Sequence, residues 1–225
     1  MRITGGGGHD DEDSGRRAGP SVYDGPVPLD IPDLDPDPIR QMRAWLGDAE
    51  SAAAPLPTAF ALATADGDGM PSVRFVLLHG LGEDGLRYYT NRGSRKGRDV
   101  AVNPWASGAF WWPVLNRQVR VAGPVRQLPD DESATYWASR PRGSQLSAAA
   151  SQQGREIGSR AELEAAVADV EHSHPREVPL PPMWGGYLLN PQVIEFWESR
   201  DDRLHDRIEF RRGGDGTWTS RRLQP

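Results

Sequence analysis

The sequence predicts a mainly antiparallel β fold with helical insertions, an α+β barrel, rather than a doubly wound parallel sheet. About eight short segments of period-two hydrophobicity follow one another at close spacing. Tight Asp/Gly turns separate several of them, at Asp66-Gly67-Asp68-Gly69, Gly82-Glu83-Asp84-Gly85 and Gly213-Gly214-Asp215-Gly216. No G-x-G-x-x-G motif follows a first strand and no Walker-type loop occurs, so neither a dinucleotide fold nor an NTPase is supported.

Residues 1–36 combine a glycine run, an acidic run and several prolines, a mixture that buries too little apolar surface to order alone. They are read as a tail, disordered at first, with its last part lying over a domain of residues 37–225. Pro38 suits the first position of a helix whose Ile39, Met42, Trp45 and Leu46 share one face. Strands follow at Ala59 to Ala65 and Ser72 to His79, the second carrying Arg74 on the same face as Val76 and Leu78. Leu86 to Thr90 is a third strand, and Ser94 caps a helix that ends near Asn103-Pro104. Trp105 to Trp112 and Arg117 to Leu128 are two more strands, joined through Pro113 to Asn116. Asp130-Asp131-Glu132 opens a helix in agreement with the macrodipole, and Pro141 stops it before a polar Gly/Ser loop. Ser159 and Glu162 form a capping box for a further helix to about Glu171. Four closing strands are read at Gly186 to Leu189, Val193 to Trp197, Arg207 to Arg212 and Thr217 to Leu223.

The 225 residues suit one domain with a tail, and the net charge of −6 argues against a nucleic-acid partner. There is no cysteine, hence no disulfide, thiolate metal site or thiol nucleophile. No apolar run is long enough to span a bilayer and the start, Met1-Arg2-Ile3-Thr4-Gly5, lacks a signal-peptide core, which makes a cytoplasmic location the expectation.

Four places break local logic. Arg74 sits among apolar residues of a strand. Arg95 and Lys96 follow Ser94 at a helix start, where cations oppose the dipole unless an anion joins them. Lys96 is the only lysine among 26 basic residues. Two readings of this stretch stand: a phosphate cradle or a solvated basic helix start. The third place is Tyr136 with Arg140 and Ser144; the fourth is Arg203, His205 and Arg207, which share a side if that segment is extended. Several separated anion cradles on an acidic chain point to phosphorylated small molecules. Histidine spacing gives no metal site, since only His172 and His174 are close in sequence. An organic cofactor is the better candidate, with Gln118 and Gln153 able to donate and accept along a heterocycle edge.

Seven segments in order, Arg74-Phe-Val-Leu-Leu, Tyr89-Thr-Asn-Arg-Gly-Ser-Arg-Lys-Gly, Arg117-Gln-Val-Arg-Val-Ala-Gly, Ser139-Arg-Pro-Arg-Gly-Ser-Gln, Pro179-Leu-Pro-Pro-Met-Trp-Gly-Gly, Glu195-Phe-Trp and Arg203-Leu-His-Asp-Arg, closely resemble the pyridoxine/pyridoxamine 5′-phosphate oxidase family. The resemblance implies an FMN-binding split β-barrel, a homodimer with FMN at its interface, and oxidation of a phosphorylated pyridine at C4′ with O2 as acceptor. It implies FMN contacts from Arg74, Val76, Leu77, Tyr89, Thr90, Ser94, Arg95, Lys96, Gln118, Gln153, Trp197 and Arg207. It implies a substrate grip from His79, Tyr136, Arg140 and Ser144, with Arg203 and His205 facing the reacting ring as the catalytic pair. The sequence departs from the family pattern in three respects. His79 stands where the family has lysine, Ser147-Ala148-Ala149 replaces a Gly-Ala-Trp run, and the N-terminal segment is acidic. Asn103-Pro-Trp-Ala-Ser-Gly108 is similar to flavin oxidases of phenazine biosynthesis, which keeps open an oxidase of a reduced tricyclic acid. A low-turnover flavin or vitamer carrier is the third reading.

Overall fold

The computed structural model describes residues 28–225, so the expected disorder of the first 27 residues lies outside the described part of the chain. Residues 28–36 pack on the fold: Leu29 and Leu34 are buried in the main core around a short 3-10 turn at Ile31–Asp33.

Helix α1 (Pro38–Ser51) is capped by Asp37, whose carboxylate accepts from the Ile39 N–H, and it buries Ile39, Met42 and Trp45. The strands are β1 (Ala59–Ala65), β2 (Pro71–Leu77), β3 (Gly80–Gly82), β4 (Gly85–Asn91), β5 (Trp105–Trp112), β6 (Arg117–Gln127), β7 (Trp184–Leu189), β8 (Val193–Glu198), β9 (Asp206–Arg212) and β10 (Trp218–Arg222). Between them lie α2 (Arg95–Val102), α3 (Asp130–Ser139), α4 (Arg142–Ala150) and α5 (Arg160–Ser173).

All pairings are antiparallel, and one path runs β10-β9-β8-β6-β5-β1-β2. A second branch leaves β6 through β7 to β4 and β3. The branch point explains the length of β6. Arg117 to Ala122 pair with β8, whereas Val125 to Gln127 pair with β7. Gly123 stands between the two halves, where an added Cβ would come within 2.0 Å of the Asn190 carbonyl, so only glycine lets the strands approach this closely. The branches meet again at the corner between β2 and β3: the Leu78 N–H donates to the Thr58 carbonyl and the His79 N–H to that of Arg87. The curled sheet encloses Phe60, Leu62, Leu86, Tyr88, Phe110 and Val119, with Phe60 stacked on Phe110 at 4.9 Å.

Three sequence readings are corrected. There are ten strands and five α-helices among the described residues, because β3 and α4 were not read. The polar stretch after Pro141 is helix α4, since a proline that ends one helix is also preset to begin the next. The segment from Arg203 to Arg207 is not extended throughout: Arg203 has φ 63°, its N–H closes a turn on the Arg200 carbonyl, and β9 starts only at Asp206.

Candidate active site

The helix start after β4 is built around a buried ammonium. The Ser94 hydroxyl caps α2 by accepting from the Gly97 N–H, which turns Lys96 inward. Lys96 is 6% exposed, and its Nζ donates to Thr90 Oγ1 (2.9 Å), Ser94 Oγ (3.1 Å) and Gln153 Oε1 (3.3 Å). All three acceptors are neutral. Burial, and then the nearby Arg74 charge, bring the Lys96 pKa down to about 8. Arg74 donates to the Leu62 carbonyl and to the Thr64 and Ser72 hydroxyls, and stands 3.8 Å from the buried Asp99 carboxylate. That carboxylate is in turn held by Thr64 Oγ1 at 2.6 Å and Ser72 Oγ at 2.9 Å. Arg95 is exposed at the same helix start, and no ion pair of it is formed among the described residues. Arg74, Arg95 and Lys96 thus bring three cations, and Asp99 one carboxylate, to the start of α2, where the Ser94 hydroxyl takes the Gly97 N–H. This is the electrostatic signature of a place for a phosphate.

Gly97 holds the arrangement in register. A Cβ there would meet the Arg92 carbonyl oxygen at 2.1 Å and its carbon at 2.6 Å, both backbone atoms. Gly97→Ala is expected to displace the start of α2, lowering thermal stability by about 1–3 kcal/mol and weakening anion binding with it. A melting curve and a flavin titration of the variant check this; an unchanged midpoint would contradict the packing account.

A cavity of about 640 Å³ opens in front of this cradle, and Thr90 and Gln153 line it together with Tyr89, Arg140, Ser144 and Trp184. Its aromatic wall is a stack: Tyr89 lies 4.0 Å from Tyr136 and 5.5 Å from Trp184. A small second core of Trp137, Leu146, Val178 and Trp184 supports that wall under α3 and α4. The Arg140 guanidinium lies over Trp184 at 4.9 Å and Trp137 at 5.2 Å, with Nη1 buried and unbonded. Such an orphan donor beside a cavity calls for a ligand acceptor. His79, at the β2–β3 corner, meets the Tyr136 hydroxyl through Nδ1 at 2.9 Å. Desolvation between the tyrosines, followed by the Arg140 charge, holds its pKa below the usual histidine range.

The other residues expected from the sequence lie on a different part of the sheet. Gln118 pairs across the ladder with Trp197, and Trp197 with Arg207. Trp197 packs on His205 at 4.7 Å and meets Trp111 edge-on at 6.1 Å. The Arg207 guanidinium is held by both oxygens of Glu195, at 2.8 and 3.1 Å. Val76 is packed against the core, and Leu77 is exposed on the outer face of β2. One subunit thus assembles Arg74, Tyr89, Thr90, Ser94, Lys96, Gln153, His79, Tyr136, Arg140 and Ser144 around one region, and Gln118, Trp197, Arg203, His205 and Arg207 around another. Sequence reasoning missed Asp99, Trp184 and Glu195. Asp99 carries a signal, a lone acid one helical turn beyond two cations, but its partners come from β1 and β2.

The sequence profile described as pyridoxamine 5′-phosphate oxidase matches residues 46–174, and that of the pyridoxine 5′-phosphate oxidase C-terminal dimerisation region matches residues 184–225. The chain belongs to the pyridoxamine 5′-phosphate oxidase family. Among its relatives, a pyridoxine/pyridoxamine 5′-phosphate oxidase of Cupriavidus metallidurans is 49% identical over 86% of this chain and 91% of its own length. One of Anaeromyxobacter dehalogenans is 51% identical over 86% of this chain and 98% of its own. Among solved structures, PhzG from Burkholderia lata, in complex with tetrahydrophenazine-1-carboxylic acid, is similar with a TM-score of 0.83 and 33% identity over 89% of this chain and all of its own. A pyridoxamine 5′-phosphate oxidase-related protein of Nostoc punctiforme shares the fold, with a TM-score of 0.70 at 22% identity over 84% of this chain and 98% of its own.

Membership of the pyridoxamine 5′-phosphate oxidase family makes the chain an oxidoreductase with FMN as cofactor. The residues fit that group. The cradle of Ser94, Lys96 and Arg74 suits its phosphate end, and the cavity wall offers flat aromatic and amide surfaces. Among the described residues no cluster of His, Cys, Asp or Glu could hold a metal ion, and no helix is long and apolar enough to cross a membrane.

Proposed function

We propose that the protein oxidises pyridoxine 5′-phosphate and pyridoxamine 5′-phosphate to pyridoxal 5′-phosphate with O2 as acceptor, working as a cytoplasmic homodimer. The observation that carries the reading is that two anion grips meet one cavity: buried Lys96, bonded to the cavity-lining Thr90 and Gln153, and Arg140 with Ser144, which line the same cavity. A cofactor phosphate and a substrate phosphate need two such grips.

FMN, when bound, would supply the redox chemistry, as hydride acceptor (N5) toward substrate C4′ and as electron donor to O2. Lys96, Arg74, Arg95 and the N-terminus of α2 hold the cofactor phosphate, with Thr90 and Ser94 filling the remaining acceptor and donor sites. Arg140, Ser144 and Tyr136 hold the substrate phosphate, which satisfies the orphan Nη1 of Arg140. Arg203 and His205 face the substrate ring, while Gln118, Trp197 and Arg207 complete the flavin site when two chains pair. Pairing is supported by the match to the dimerisation region and by an apolar outer face on which Phe75 is 77% and Val73 68% exposed.

The first test is colour and product. The purified protein should carry FMN absorbance, and incubation with pyridoxine 5′-phosphate under air should yield an aldehyde absorbing in the near ultraviolet together with peroxide. The similarity to PhzG, shared over the whole of that chain, supports a second reading, an oxidase of a reduced tricyclic acid. A yellow protein inert to the vitamer phosphates but consuming oxygen with a reduced phenazine carboxylate would establish it, and inertness to both would leave a flavin or vitamer carrier.

His79 sets a second expectation. A neutral imidazole near pH 7 contributes a hydrogen bond but no charge to a phosphate. His79→Lys is expected to lower KM for pyridoxine 5′-phosphate by about tenfold, the worth of one charge-assisted bond. An unchanged KM would place the phosphate elsewhere.

A further inference from the structure

We propose that Asp206 is the positioning residue for the turn that carries Arg203 and His205, acting through Arg200. The inference rests on the reading above in one respect only, that Arg203 and His205 face substrate.

The turn between β8 and β9 is held by a buried carboxylate at each end. Asp206, the first residue of β9, accepts from Arg200 Nε at 2.6 Å. Glu198, the last residue of β8, lies 3.3 Å from Nη2 of the same guanidinium. Arg200 therefore bridges the two strand ends beneath the turn. Its backbone N–H donates to His205 Nδ1 at 3.0 Å. An amide N–H can only donate, so Nδ1 carries a lone pair and the ring proton sits on Nε2. The imidazole plane is backed by Trp197 at 4.7 Å, which leaves Nε2–H as the donor available to a ligand. The carbonyl of the same Arg200 accepts from the Arg203 N–H at 3.2 Å and fixes the left-handed conformation of Arg203. One residue thus orients both members of the pair, and Asp206 orients that residue.

Asp206 is itself fixed from outside the turn. Its second oxygen accepts from Arg222 Nη1 at 2.7 Å, and the Leu29 N–H donates to the oxygen that Arg200 uses, at 3.1 Å. Arg222 also donates to the Leu29 carbonyl and to Asp30. Among the described residues the hydrogen bonds of the Asp206 carboxylate go to Arg200, Arg222 and Leu29, and none goes to Arg74, Ser94 or Lys96.

The experiment compares Asp206→Asn, Arg200→Lys, Arg200→Ala, Arg222→Ala and the double variant Asp206→Asn/Arg200→Ala in full-length holoenzyme. Asp206→Asn and Arg200→Lys are expected to keep FMN content while kcat falls by about 10–100-fold. In the double variant the loss should be no greater than for Arg200→Ala alone, the non-additivity of residues acting in series. Nitrogen NMR of the His205 ring provides a readout independent of turnover: wild type should show the single Nε2–H tautomer, and Asp206→Asn and Arg200→Lys a mixture. Arg222→Ala, which removes a partner of Asp206 but leaves the Arg200 contact, should lower stability without moving the tautomer. If Asp206→Asn does not fold, Arg200→Lys carries the same two readouts. Additive losses, or a wild-type tautomer and kcat in Asp206→Asn or Arg200→Lys, would overturn the proposal. A wild-type protein inert to vitamer phosphates would defeat the functional reading instead, and the NMR comparison would still decide this one.

Discussion

Replacing Lys96 by methionine is expected to weaken FMN binding by about a hundredfold while raising the stability of the flavin-free protein. Both effects come from one buried charge. In the free cradle the ammonium is desolvated and meets only neutral oxygens, with Arg74 as an unfavourable neighbour. A phosphate turns that liability into charge-assisted bonds worth about 1.5–3 kcal/mol each. The pH dependence follows with a definite sign. The folded pKa is lowered from 10.5 to about 8, so between those values the unfolded chain binds more protons than the folded one. Stability of the flavin-free protein should rise with pH through that window, the penalty being fully present below it. FMN binding should behave oppositely: it takes up a proton above about pH 8, and its affinity should fall by up to about tenfold per pH unit there. In Lys96→Met both slopes vanish. Melting curves and flavin titrations at neutral and alkaline pH check this, and a pH-independent wild type would contradict the buried-ammonium account.

Arg140→Ala should lower kcat/KM for pyridoxine 5′-phosphate by about 10²–10³-fold at unchanged FMN content. Its guanidinium is stacked on Trp184 and Trp137 and carries an unbonded buried nitrogen, so it is preorganised for an acceptor that the protein itself does not provide. Burial lowers its pKa from the usual arginine value, an effect that Tyr136 partly offsets, and the group stays cationic at any working pH. Because the hydrogen bonds of Lys96 go to Thr90, Ser94 and Gln153 and none goes to Arg140, flavin binding should survive. The decisive comparison is with unphosphorylated pyridoxine: wild type should discriminate strongly against it, and Arg140→Ala should not. Loss of flavin in parallel with activity would show that the two grips are one.

What the sequence made legible, and what it did not, follows from the range of the interactions. Strands β1 and β5 and the start of α2 were readable because period-two apolar patterns and a serine cap act over a few residues. Pro141 reads as a terminator in the sequence, yet proline is equally suited to open a helix, and α4 follows it directly. Alternation of charge at Arg203, His205 and Arg207 mimics a strand, whereas the left-handed φ of Arg203 depends on closure against Arg200. The sequence singles out Arg74, Ser94 and Lys96 but not the neutral surroundings that make Lys96 unusual. Its contact to Gln153 spans 57 residues and crosses from α2 to the loop after α4. The outer anchor of Asp206 is invisible for the same reason, since Leu29 lies 177 residues away in sequence, although the Asp206 contact to Arg200 is local.

The central claim is that Lys96, Arg74 and the start of α2 grip the phosphate of the flavin, and paired titrations with FMN and riboflavin test it most directly. The account predicts that the wild-type protein binds FMN about 10³-fold more tightly than riboflavin and that Lys96→Met loses most of this preference without losing riboflavin affinity. Equal affinity of the wild-type protein for the two flavins would contradict it.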